Sequence, residues 1–213
     1  DYREADSDRW LLFQCVHGLG HGLTMLHDYH LPTALEACDH LSSEWDREGC
    51  YGGVFMESIV NATTPHHAVG RPDAGGHEHH TAAAHDPPSH DHHQAMGHGA
   101  ASATDHEPFP PLIPEDPLYP CTELDDRYLT ACYQMQTSAI LFHNGSDVAA
   151  TAAACDLAPE QYRGDCYLSL GRDISALTMQ NHTEAAAACS AGDPAYQVWC
   201  HIGYVKNLVD LSA

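Results

Sequence analysis

Short alanine-rich runs alternate with longer amphipathic ones along much of the chain. ATAAAC ending at Cys155 and EAAAAC ending at Cys189 are strong helix formers, and ALEAC ending at Cys38 is a looser version. A polar connection follows, such as DLAPEQYRGD or SAGDPAYQVW, and then a second cysteine opens a longer run. Those longer runs are CYGGVFMESIV, CYQMQTSAIL, CYLSLGRDISAL and CHIGYVKNLVDL. Helix, polar turn, helix is the pattern of a helical hairpin, and nothing in it alternates with the two-residue period of a strand. The expectation is an all-α fold.

The cysteines turn this pattern into a repeat. Cys121 to Cys132, Cys155 to Cys166 and Cys189 to Cys200 are each 11 residues apart, and Cys38 to Cys50 is 12. Between pairs, Cys15 to Cys38, Cys132 to Cys155 and Cys166 to Cys189 are all 23 apart, so the period is 34. Bridges Cys38–Cys50, Cys121–Cys132, Cys155–Cys166 and Cys189–Cys200 would staple each hairpin, every closed loop contributing roughly 3 kcal/mol. Cys15 is left unpaired, at the head of an opening helix that aligns with the second helix of each hairpin.

A period of 34 residues in helix–turn–helix units resembles the tetratricopeptide and Sel1-like class of repeats, over Leu11 to Thr64 and roughly the last hundred residues. The resemblance implies a right-handed superhelix, a solenoid of four disulfide-stapled hairpins preceded by one unpaired helix, with a concave groove suited to a protein or peptide. The internal tryptophan, glycine, tyrosine and alanine signature of that class is not reproduced.

One gap breaks the period. Cys50 to Cys121 is 71 residues, 48 more than the 23 found elsewhere. The chain therefore divides into 1–64, an insertion over 65–117, and 118–213 carrying three further hairpins of the same domain. The insertion holds nine of 13 prolines and 11 of 19 histidines, with almost no large apolar residue before FPPLIP. Such a composition cannot form a packed core, so a disordered loop is expected. Its histidines, His77, His79, His80, His90, His92, His93 and His98 above all, are a flexible set of imidazoles able to gather around a metal ion.

Charge and cysteine content narrow the function classes. The formal net charge is −22, with 30 acidic residues against 8 basic ones. That balance opposes binding to nucleic acid or an anionic membrane, both of which need a positive surface. Nine cysteines without a CxxC or CxxCH favour disulfides in an oxidising compartment over zinc-ribbon, thioredoxin or haem chemistry. With no leader and no membrane-spanning run, the sequence reads as a mature, exported chain that is secreted, periplasmic or cell-surface.

The sharpest chemical signal is CVHGLGHGLTMLH at Cys15 to His27, with three histidines and three glycines in thirteen residues. Each glycine costs a helix interior about 1 kcal/mol relative to alanine. Accepting three such costs implies close approach of a helix, a ligand or an ion. His17 and His21 lie about 40° apart on one helix face and can share an ion. Cys15 points roughly 200° away from His17, which separates it from that pair. Aligned on the leading cysteines, Gly52 is level with His17 and Met56 with His21, and Glu57 comes next. His17, His21, Glu57 and Met56 are thus the candidate ligands, a set of imidazole, carboxylate and thioether suited to copper or zinc. The same register holds Gln134 and Ser138, Leu168 and Arg172, then Ile202 and Lys206 in later helices, so metal-ligand character is confined to the first end. His27, His30 and His40 fit turn or surface roles.

These readings point to an extracytoplasmic metal-binding repeat protein, for sequestration, delivery or sensing of copper or zinc. A peptide-binding scaffold and a metal-dependent enzyme using His17, His21 and Glu57 are the competitors. No HExxH, GxSxG, P-loop or dinucleotide fingerprint names a reaction.

Overall fold

A computed structural model describes residues 2–64, 109 and 113–210. Eight α-helices are found among them: α1 (Tyr2–Leu26), α2 (Leu31–Cys38), α3 (Glu44–Thr63), α4 (Asp126–His143), α5 (Val148–Cys155), α6 (Glu160–Leu177), α7 (His182–Cys189) and α8 (Gln197–Asp210). Among the described residues there is no strand, only a single bridge between Ile113 and Asp116. The fold is all-helical. One compact unit comprises Asp1–His66 with Pro108–Ala213. The histidines at 77, 79, 80, 90, 92, 93 and 98, and the disordered loop expected around them, lie outside the described residues.

Local chemistry sets the helix ends. The Ser43 hydroxyl accepts from the Asp46 amide at 3.0 Å, Asp147 from Ala150 at 3.0 Å, and Asn181 from Thr183 and Glu184. Each satisfies amides that have no partner inside the helix. Three of the long helices, α1, α4 and α6, end in one recurring turn: Asp28 and Tyr29, Gly145 and Ser146, and Met179 and Gln180 all have positive φ. Each such pair is followed by the cap residue of a short helix, His30, Asp147 or Asn181.

All four expected bridges are formed, with Cα–Cα distances of 5.5 to 5.8 Å, and Cys15 is free and exposed. Two hairpins add a polar link to the covalent one. The Tyr51 hydroxyl donates to Asp39, and Tyr167 donates to Asp156 at 2.8 Å, each joining the residue after one cysteine to the residue after its partner. Burial and this carboxylate push Tyr167 well above the usual phenol range.

Successive hairpins stack in a second recurring contact. Tyr51 meets Tyr128 edge-on at 5.0 Å, Tyr133 stacks on Tyr162 at 5.4 Å, and Tyr167 stacks on Tyr196 at 5.6 Å. In every case a tyrosine one past a leading cysteine touches one four before the next leading cysteine. The first and second hairpins obey this positional rule across the insertion, with their rings edge-on where the later pairs are stacked. The long helices form a row in the order α1, α3, α4, α6, α8.

The second hairpin departs from the expected pattern. Its first arm is not an α-helix: IPEDPLYP, residues 113–120, runs in turns up to Cys121, and the 3-10 turn Cys121–Glu123 follows. Pro114, Pro117 and Pro120 lack the amide protons a helix needs and clash with the preceding turn. Gln136 compensates, its buried amide donating to the carbonyls of Pro117 at 2.9 Å and Tyr119 at 2.6 Å.

Candidate metal site

The opening motif lies inside α1, and the structure assigns its glycines different roles. A Cβ on Gly20 would collide with the Cys50 carbonyl oxygen, and one on Gly53 with the carbonyl oxygen of His17. These two glycines let α1 and α3 cross at backbone contact. Gly18 and Gly22 face open space, so packing does not explain them. Gly52 faces the imidazole of His17, whose Nδ1 would lie 3.5 Å from an added Cβ.

Residues 9, 13, 17 and 21 form one stripe along α1. The Arg9 guanidinium sits 5.6 Å over the Trp45 ring, Phe13 meets Trp45 at 5.4 Å and stacks on His17 at 5.8 Å, and the His17 and His21 rings are 5.0 Å apart. The spacing of four thus does what the helix period requires of it.

Both imidazoles are tied by Nδ1. That of His17 lies 3.2 Å from the Gly49 carbonyl oxygen, and that of His21 2.8 Å from Glu57 Oε2. A carbonyl or carboxylate oxygen only accepts, so each Nδ1 carries the proton and, in the neutral ring, each Nε2 keeps its lone pair. Burial pushes the His17 pKa down, the neighbouring His21 adds to this, and the Gly49 bond opposes it. His17 is thereby held in the neutral form that a metal requires.

Glu57 is nearly buried and has both oxygens engaged. Besides His21, the Tyr29 hydroxyl approaches Oε1 at 3.5 Å. Tyr29 is a residue that sequence reasoning missed. It reaches Glu57 from the turn after α1, where its φ of 62° is a tertiary feature with no glycine to announce it. His27 and His40 stand apart in turns, and His30 pairs with Thr33 at 2.7 Å beside the start of α2. Among the described residues, no group of three or more His, Cys, Asp or Glu side chains is arranged to hold a metal ion.

His17 and Met56 also line a cavity of about 620 Å³ that reaches from α1 to α8. Gln134, Leu168, Arg172 and Lys206 from the corresponding register line it as well. Arg172 is internally paired rather than free: it contacts Asp173 at 2.8 Å, the Gln134 carbonyl at 2.8 Å and the Met135 sulfur at 2.8 Å. Lys206 is exposed, with no ion pair among the described residues.

Fold and site together define a disulfide-stapled, all-helical protein with two oriented imidazoles, of which His17 borders a groove. The chain matches no protein-family model, no curated protein and no solved structure.

Proposed function

We propose that the protein binds a transition metal ion, copper or zinc, outside the cytoplasm, with Nε2 of His17 and Nε2 of His21 as ligands. One observation carries the reading: both histidines donate their Nδ1 protons to fixed acceptors and so keep Nε2 for a metal. Ligating histidines characteristically have the second nitrogen held this way by a carbonyl or carboxylate. In this reading Glu57 orients His21 instead of ligating. Met56 offers a thioether from the groove side, and solvent completes the shell. The histidine-rich 65–117 segment offers further imidazoles for ion capture, in sequestration, delivery or sensing. Four disulfides fit an oxidising compartment, and no helix among the described residues is long and apolar enough to cross a membrane.

Calorimetric titration with zinc and copper, on protein lacking 71–106, tests the reading. One tight site is expected, lost in the His17→Ala, His21→Ala double variant, with helicity unchanged. Equal affinity before and after the substitutions would remove the metal reading.

The groove supports a second reading, a scaffold for a protein or peptide. Its specific observation is the cavity shared by α1, α3, α4, α6 and α8, where a right-handed superhelix would present its concave face. Partner binding that is indifferent to metal removal would favour it.

A further inference from the structure

Every hairpin buries its leading cysteine and the residue four positions later. Cys50, Cys132, Cys166 and Cys200 are at most 1% exposed. Four residues on, Val54, Gln136, Leu170 and Tyr204 are 0%, 2%, 1% and 7% exposed. The first arm of each hairpin ends in the partner cysteine and is bonded to this face by the disulfide, with added hydrogen bonds from Gln136 to Tyr119 and between Tyr204 and His182. In three hairpins that arm is an eight-residue helix: LPTALEAC in α2, VAATAAAC in α5 and HTEAAAAC in α7. Its small side chains, including Ala34, Ala152 and Ala185, are buried in the same core cluster as Val54, Leu170 and Tyr204.

In α1 the same register is open. Cys15 is a free, exposed thiol, and Leu19 is 43% exposed. Leu12 and Leu26 extend the uncovered apolar face on either side. Three of the four covered seats in the same chain hold a short helix with buried alanines, and in all four the equivalent cysteine is bonded to its occupant.

We propose that the face of α1 around Cys15 and Leu19 is a seat for a short alanine-rich helix ending in a cysteine, which Cys15 captures as a disulfide. The Cys15 thiol and the incoming thiol each lose a hydrogen as the S–S bond forms. Glutathione disulfide accepts the two electrons and two protons and leaves as two glutathione thiols. Burial of the leucines against the helix raises the effective concentration of the incoming thiol, so capture is selective for the helix and not merely for a thiol.

The test uses the full chain and a synthetic peptide, NHTEAAAACS, which reproduces residues 181–190. Both are equilibrated in a glutathione redox buffer, and the Cys15–peptide disulfide is quantified by mass spectrometry after digestion. A second peptide carrying Ala185→Asp keeps the thiol but puts a charge on the seated face. The matched peptide should give at least tenfold more mixed disulfide than the Asp peptide. Leu19→Asp in the protein, at an exposed position that folding tolerates, should erase that preference. Equal yields from the two peptides would overturn the proposal. So would Cys15 pairing with a second copy of the chain in preference to the matched peptide.

Discussion

The α1/α3 pair at one end of the helix row and the α6/α8 pair at the other cross in the same way. Gly20 faces the Cys50 carbonyl and Gly53 that of His17. At the other end Gly171 faces the Cys200 carbonyl and Gly203 that of Leu168. The four glycines hold matching register, five past the leading cysteine in α1 and α6, three past it in α3 and α8. Chemistry is where the two crossings part. His17, His21, Met56 and Glu57 at the first end correspond to Leu168, Arg172, Lys206 and Asn207 at the last. A crossing built on glycine backbone contact therefore requires neither imidazole nor carboxylate. The glycines are accounted for by packing, and the two oriented histidines are not.

The comparison breaks most directly at its shared feature. Gly53→Ala and Gly203→Ala each push a methyl group into backbone that cannot rotate away, at a cost of about 3 kcal/mol. In differential scanning calorimetry both should lower the thermal midpoint by about 6–12 °C. A large loss at one end alone would mean that the crossings are not equivalent.

Next in size is the role of Glu57. If it holds the His21 tautomer, Glu57→Gln should weaken metal binding by about 10- to 100-fold while leaving the site present. At the other end Asn207→Asp should leave metal affinity unchanged. Abolition of the site by Glu57→Gln would make the carboxylate a ligand after all.

Gly18 and Gly22 give a smaller effect of opposite sign. Nothing lies near either position, so Gly18→Ala should stabilise α1 by about 0.5–1 kcal/mol through helix propensity. Chemical denaturation reads this. A stabilised protein with weakened metal binding would show that the ion, and not α3, needs that open face.

The smallest effect is pH dependence. Burial lowers the His17 pKa below its ordinary value of 6.5, so the folded chain prefers the neutral ring. The unfolded chain takes up the proton first as pH falls. The contribution of His17 is then present above about pH 6.5 and lost as pH drops through the lowered folded value. His17→Gln should flatten that part of the stability–pH curve, whereas Leu168→Gln at the equivalent position should not. An unchanged slope would contradict the burial of His17.

Some of this was legible without coordinates. A disulfide joins residues whose separation the repeat keeps nearly constant, so three gaps of 11, one of 12 and three of 23 were enough to pair eight cysteines and define the hairpins. Helix period alone put His17 beside His21, and cysteine alignment alone brought Met56 and Glu57 to the same level. The tyrosine contacts between hairpins, 51 with 128, 133 with 162 and 167 with 196, were written at fixed offsets from the cysteines but carry no meaning until the helices are seen to stack. The proline-rich approach to Cys121 could have warned that the second hairpin lacks its first helix, because the local rule against proline overrides the repeat.

Tertiary structure alone decided the rest. That Glu57 takes the Nδ1 proton of His21, that the Gly49 carbonyl takes that of His17, and that Tyr29 reaches Glu57 from a positive-φ turn all depend on angles between separate helices. Spacing along one chain fixes which residues share a face. Which nitrogen of an imidazole is free depends on what the opposite helix puts within 3 Å or so of it, a hydrogen-bond distance that no periodicity encodes.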